Sequence, residues 1–500
     1  MFNCLLIPQI EAPLENLAIH ILRHAAETPD KVATRSGTVS LTYAQLEEQA
    51  RKAAYALSTR GVAEGSVVGI ALRDGQQTIT AMLGVWLLGG SCNLIDFRAP
   101  ATQKTALSQT YNHILILDDR TPPEGGYASL SLAQWAEALA AAPASPVPPL
   151  APQSPSFISV TSGTTGRPAS VEISHKISLN RAALWAGSCI RDAYKRYLNT
   201  TSMSYGPSQG WVINSLLSGG TVIFFPNMFQ PRDLVEAFAK HRITGCVLAP
   251  TVLRDLMAYV RKTGMTPAPP DTPLWLVATG GPIQPSELLS IRDLLSPNVI
   301  HQYACLAVGP LTYLVVGKEL DKVDTVGRPH PGVDVEIVDE NDTPLPPMSI
   351  GLIRIRTPGR AISIKGRAKN AASDFFKGEW YYPGDLGLLD EDGYLKLMGR
   401  STDVIIRGGV NVYPQEVEAV VSDLPGVRQV AAVGYPNERA GEEIALFVVV
   451  DPGVGVEELH RHYKARMTPD KRPKRILIIP EMPLNANGKV VRQALSKMIS

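Results

Sequence analysis

Cysteine is scarce. The five in 500 residues, Cys4, Cys92, Cys189, Cys246 and Cys305, are scattered without C-x-x-C spacing, which excludes a disulfide framework and gives no zinc site. We read them as buried or idle thiols. An excess of one charge is also missing: 48 basic against 47 acidic residues leave +1. That balance argues against nucleic acid or an anionic membrane as the main partner and favours small molecules. No uninterrupted apolar stretch reaches the about 20 residues that a membrane-spanning helix needs. Met1 to Pro13 has a short apolar run but neither a basic n-region nor a small-residue cleavage site. The expectation is a soluble cytoplasmic protein.

What is present suggests layered α/β structure. A chain of 500 residues exceeds the size at which one core keeps growing, so two or more domains are expected. Leu17 to Ala26 is amphipathic and reads as a helix, Val32-Ala33-Thr34 as a strand, and Leu41-Thr42-Tyr43 as the cap of a helix from Ala44 to Leu57. Val67 to Leu72 reads as a buried parallel strand, with Gln77 to Leu88 as the helix returning across it. Residues 142–156 form a proline-rich connector. From 173 to 320, strands such as Thr221 to Phe225 and Leu274 to Ala278 alternate with helices such as Arg232 to His241, the order of a doubly wound sheet. Beyond Arg400, a helix over Gln415 to Leu424, strands at Val430 to Val433 and Ala445 to Val450, and a final helix over Val456 to Met467 fit a compact α+β unit. The division expected is a large domain over 1–400 and a small one over 401–500.

The strand Phe157 to Val160 runs into Thr161-Ser162-Gly163-Thr164-Thr165-Gly166-Arg167-Pro168. Glycines let backbone N–H groups turn toward an anion, and the hydroxyls add rotatable donors, so the segment is suited to phosphate. It is not a Walker A loop, because the G-x-x-x-x-G-K-[ST] spacing is absent. By composition alone an ordinary turn remains an equal reading. Downstream stand Thr279-Gly280-Gly281-Pro282, Tyr382-Pro383-Gly384-Asp385-Leu386-Gly387, Gly399-Arg400-Ser401-Thr402-Asp403, Arg407-Gly408-Gly409-Val410-Asn411-Val412-Tyr413-Pro414, and Pro483-Leu484-Asn485-Ala486-Asn487-Gly488-Lys489. In order and separation these motifs resemble those of the adenylate-forming superfamily, from about residue 15 to the end.

The resemblance implies a large N-terminal domain of doubly wound sheets and a small mobile C-terminal one. It also implies roles. Thr161 to Gly166 would hold phosphates, with Gly280, Gly281, Pro282 and Tyr303 beside the base; Asp385 and Arg400 would hold the ribose. Lys489 would enter from the small domain to stabilise the adenylation transition state, Thr402 would be the hinge, and Arg407, Gly408 and Gly409 would line a thiol tunnel. Met203, Ser204, Tyr205, Trp211, Thr279, Ala304 and Val308 would wall the acyl pocket. For Met203, Tyr205 and Trp211, plain core packing is an equal reading.

The pattern breaks at the phosphates. Ala169 stands where the superfamily has lysine, Pro383 where it has threonine, and Leu306 and Ala307 where it has threonine and a magnesium-holding glutamate. ATP is therefore an implied substrate with magnesium left open. The absence of an acid near Gly206 favours a carboxylate without an α-amine. The expectation is an AMP-forming acyl- or aryl-CoA ligase that passes a small carboxylic acid through acyl-AMP to CoA. Two alternatives are loading of phosphopantetheine on an acyl carrier protein in natural-product biosynthesis, and a half-reaction or non-catalytic scaffold.

Overall fold

The structure, a computed structural model, describes residues 16–120, 126–145, 155–161, 169–186, 190–267, 269, 271–365, 375–422, 424–484 and 490–499. It is mixed α/β, with a large N-terminal domain and a smaller C-terminal one. Ser162 to Gly166 and Lys489 lie outside the described residues, as does 146–154 of the proline-rich connector.

Four sheets organise the chain. A seven-stranded sheet is built around Val67–Ala71, Ser91–Leu94 and Phe157–Thr161, and ends at the hairpin partner Ala169–Ile173 and Ser363–Lys365. Its central pairs run parallel, Val68 opposite Cys92 and Cys92 opposite Phe157. Helix Gly75–Leu87 covers one face, and Trp86 is fully buried there against Phe157. The nine-stranded sheet places Arg196–Asn199, Gly245–Leu248, Trp275–Ala278 and Asn298–Cys305 in parallel succession. Burial on both faces explains their nearly continuous apolar runs.

A third, six-stranded sheet contains the antiparallel pair Asp385–Leu389 and Leu395–Arg400. The fourth sheet lies beyond Arg400: Ile405–Arg407, Val410–Val412, Val427–Asn437, Gly441–Val450 and Arg475–Ile478. Helix Pro414–Ser422 of this last unit packs near Leu395–Arg400, close enough that a Cβ on Gly399 would lie 3.6 Å from the Gln415 side chain.

Local signals act where they were read. Thr42 accepts from the Gln45 N–H while the Gln45 side chain accepts from the Thr42 N–H, a reciprocal cap that starts helix Tyr43–Ser58. Two expectations need correction, and one strand was not anticipated. The helix over 17–26 is two short pieces, Leu17–Leu22 and His24–Glu27, joined at Arg23. Val39–Thr42 is a strand pairing with Val32–Ser36, because this short edge pair is closed by the turn at Gly37. Val456–Arg466 is not the final helix: Arg475–Ile478 pairs parallel to Gly441–Val450, and helix Arg492–Ser496 follows.

Candidate active site

The antiparallel register sets Asp385 directly opposite Arg400. Positive-φ glycines, Gly384 at +78° and Gly399 at +114°, turn the backbone beside each of them. The Arg400 Nε lies 2.8 Å from Asp385 Oδ1, and its Nη1 donates to the Pro383 carbonyl at 2.8 Å. Tyr303, arriving from the nine-stranded sheet, donates its hydroxyl to Asp385 Oδ2 at 2.5 Å. Burial first, then the neighbouring Cys305 and Asp385, push the Tyr303 phenol well above its ordinary pKa. The Asp385 side chain is only 13% exposed, because two sheets meet over it. A carboxylate oxygen accepts more than one hydrogen bond, so the two oxygens suit a pair of vicinal hydroxyls.

Beside this cluster, strand Trp275–Ala278 ends in Thr279, whose hydroxyl donates to the Gln302 carbonyl at 3.1 Å. Gly280 follows with φ +90°, and a Cβ there would fall 2.6 Å from the Tyr205 hydroxyl. Glycine is therefore required by both conformation and contact. Gly281 faces Pro250, and Pro282 is exposed. Tyr205 precedes helix Gly206–Leu217, where a Cβ on the first residue would fall 3.1 Å from the Leu306 side chain. Ser204 shares a hydrogen bond with Ser202 at 2.9 Å. Ala304 is exposed at the cleft.

Other expected wall residues turn inward. Met203, Trp211 and Val308 are in the core, where Trp211 packs against Tyr194 and Trp185 with ring centroids 5.0 and 5.4 Å apart. Aromatic surface of this size finds more apolar contact in the core than at a wall.

Thr161 pairs with Ala169 at the mouth of the hydroxyl-rich segment. Thr402 is exposed within the short 3-10 turn Ser401–Asp403, and the Ser401 N–H donates to the Gly384 carbonyl at 2.9 Å. Arg407 turns into the small domain. Its Nε lies 2.8 Å from the buried Glu443, and its Nη1 donates to the Pro469 and Asp470 carbonyls at 3.0 and 2.7 Å. Gly408 and Gly409 form an open tip with φ +58° and +84° and nothing near their Cβ positions.

Two residues here were not singled out for a site. Cys305, expected to be idle, is half-buried and in hydrogen-bond contact with Tyr303, whereas Cys92 and Cys246 are buried. Arg181, on helix His175–Ala186, donates to the carbonyls of Leu306 and Gly359. Its only sequence signal is a cation on a segment that is otherwise mostly apolar and small. The described residues contain no group of three His, Cys, Asp or Glu side chains that could hold a metal ion, and Leu306 and Ala307 supply no side-chain oxygen. No helix among them is long and apolar enough to cross a membrane.

Residues 21–362 match the family described as AMP-binding enzyme, and 416–489 match the AMP-binding enzyme C-terminal domain. The chain is 27% identical to the 2-succinylbenzoate–CoA ligase of Bacillus licheniformis over 95% of its own length and 98% of that protein's. It is also 27% identical to ScoC of Streptomyces coeruleorubidus, a fatty acid–[acyl-carrier-protein] ligase, with 98% and 96% covered. Among solved structures, ATP-bound MatB from Rhodopseudomonas palustris superposes with a TM-score of 0.87 at 22% identity, covering 97% of this chain and 98% of that one. The Asp385–Arg400 pair, the glycine turn after a buried strand and a family match across most of the large domain converge: the chain belongs to the AMP-binding enzymes.

Proposed function

We propose that the protein is an ATP-dependent, AMP-forming acid–thiol ligase. A carboxylate lacking an α-amine attacks the α-phosphorus of ATP, the bond to the pyrophosphate leaving group breaks, and acyl-AMP forms. A pantetheine thiol then attacks the acyl carbon, loses its proton and expels AMP. The observation that carries this reading is the Asp385 carboxylate, held by Tyr303 and Arg400 at the cleft between two sheets. In this reading the ribose hydroxyls donate to Asp385, the base lies along Gly280 and Gly281, and the hydroxyl-rich segment 161–166 receives the phosphates. Tyr205, Ser204, Thr279 and Ala304 border the acyl group. The division falls at Arg400, with Thr402 absorbing rotation of the small domain, and Gly408 and Gly409 leave room for the pantetheine arm.

Magnesium is left open, because Leu306 and Ala307 carry no side-chain oxygen, and no step is assigned to it. Lys489 is the residue assigned to the adenylation transition state, where a desolvated ammonium opposes charge that develops only there. Lys489→Ala should lower acyl-AMP formation at least about a hundredfold while transfer from preformed acyl-AMP persists; equal loss of both half-reactions would contradict the assignment.

The deciding assay is pyrophosphate release across a carboxylate panel, with CoA, with a carrier protein and with neither, using Asp385→Ala as the control. Thioester formed only on the carrier protein would select the second acceptor, which the similarity to ScoC favours. Nucleotide binding without pyrophosphate release from any acid would instead leave a half-reaction protein or scaffold, the reading favoured by Ala169, Leu306 and Ala307.

A further inference from the structure

Arg181 is a buried cation that the proposed reaction does not yet use. Its residue is half-buried, but the guanidinium itself is enclosed, and burial holds its pKa down to about 9. It remains charged at neutral pH. Nη2 donates to the Leu306 carbonyl at 2.9 Å and Nε to the Gly359 carbonyl at 2.8 Å. Gly309 makes room for it: with φ +80°, a Cβ there would fall 2.8 Å from the arginine stem. Among the described residues no carboxylate forms an ion pair with Arg181. An enclosed guanidinium whose partners among the described residues are carbonyl dipoles is costly unless an anion completes it.

The place of this charge suggests which anion. The turn it braces, between Asn298–Cys305 and Gly309–Val315, is tied on one side to Asp385 through Tyr303. On the other side the Ala361 N–H donates to the Ala307 carbonyl at 2.7 Å, and strand Ser363–Lys365 continues along Ala169–Ile173, where the hydroxyl-rich segment ends. The turn thus lies between the carboxylate assigned to the ribose and the segment assigned to the phosphates. It offers no side-chain oxygen at Leu306 or Ala307.

We infer that Arg181 is a positioning residue that sets a fixed positive charge behind the 305–309 turn, facing the phosphate tail of the bound nucleotide, so that ATP is held with little dependence on a divalent ion. The inference rests on the ligase reading for where the phosphates lie. Its test is the calorimetric binding of ATP and of adenosine to the full chain, in EDTA and in magnesium, for wild type, Arg181→Lys and Arg181→Gln. Wild-type ATP affinity should change by no more than about threefold between EDTA and magnesium, a weak coupling. Arg181→Gln keeps a donor but loses the charge. It should weaken ATP at least about tenfold, as loss of a charged contact does, leaving adenosine unchanged, and Arg181→Lys should restore most of the affinity.

Equal weakening of ATP and adenosine by Arg181→Gln would reduce the arginine to a structural brace and overturn the inference. So would unchanged ATP affinity, or wild-type binding that collapses in EDTA. If Arg181→Gln fails to fold, the wild-type EDTA comparison and Arg181→Lys still decide. Wild type that binds ATP as described but releases pyrophosphate with no carboxylate would sink the ligase reading alone, and wild type that binds no ATP would sink both.

Discussion

At Cys305 a single thiol sits where the sheet that carries Tyr303 meets the sheet that carries Asp385. Burial pushes the thiols of Cys92 and Cys246 far above their ordinary pKa, which keeps them protonated and inert. Cys305 is half-buried. Iodoacetamide should therefore modify Cys305 ahead of Cys92 and Cys246, and AMP should slow that modification by covering the cleft. Peptide mapping by mass spectrometry with and without AMP checks this. Equal labelling in both samples would separate Cys305 from the nucleotide. At the same scale, Gly280 and Tyr205 show how one missing Cβ shapes a wall: the hydroxyl occupies the space a side chain would need.

Among elements, the hairpin Ile405–Arg407 and Val410–Val412 depends on Arg407 for its attachment. That guanidinium gathers Glu443 and three carbonyls of the 469–472 turn, and the Gly408 N–H donates to the Ala440 carbonyl at 2.7 Å. Among the described residues, Arg407→Met leaves Glu443 with Lys474 as its cationic partner, 3.0 Å away at the surface. The glycine tip should then lose its fixed mount. Thioester formation from preformed acyl-AMP should fall about tenfold or more, as misplacement of a positioned group does, while acyl-AMP formation stays near wild type. Rapid-quench measurement of the two half-reactions checks this, and a loss confined to adenylation would contradict it.

The Lys104–Asp118 pair is a second element-scale device. Both side chains are almost fully buried, 2.6 Å apart, joining helix Ala101–Tyr111 to strand His113–Asp118, and Tyr127 donates to the same carboxylate at 2.6 Å. Lys104→Met strands a buried carboxylate and should cost about 3–5 kcal/mol, whereas Lys104→Met with Asp118→Leu should recover most of it. Urea midpoints for the large domain's transition check this. Equal destabilisation by the single and double variants would show that the charge pairing contributes nothing.

For the whole molecule, buried histidines couple stability to pH. Burial lowers His113, His301 and His330 to about 4 and His175 to about 3. In the unfolded chain each titrates near its ordinary value of about 6.5. Between 6.5 and 4 the unfolded state therefore binds protons that the folded state refuses. Their contribution is fully present above about pH 6.5 and is lost as pH falls, by up to about 1.4 kcal/mol per pH unit for each histidine. All four precede Arg400, so the loss belongs to the large domain. Thermal unfolding at pH 7 and pH 5 should show a clear drop for that domain's transition, and an unchanged midpoint would mean the imidazoles are not enclosed.

The sequence by itself determined what depends on neighbours along the chain. Apolar runs gave the strands Val67–Ala71, Thr221–Phe224 and Trp275–Ala278, Thr42 and Gln45 marked a helix start, and glycines marked the turns before Asp385 and Arg400. The motif order was sufficient for the family, because a spaced series of turns on strand ends is a local pattern repeated at fixed separations. Tertiary structure alone decided the partners. Tyr303 and Asp385 are 82 residues apart, and Arg181 meets carbonyls 125 and 178 residues away. It also decided which expected wall residues stay in the core: Met203 and Trp211 carry the same apolar surface in either place, and only the packing of helix Gly206–Leu217 against the sheet fixes the side they face. Whether a charge is paired, a thiol enclosed or a ring buried depends on which distant strands are brought together, and chain periodicity carries no record of that distance.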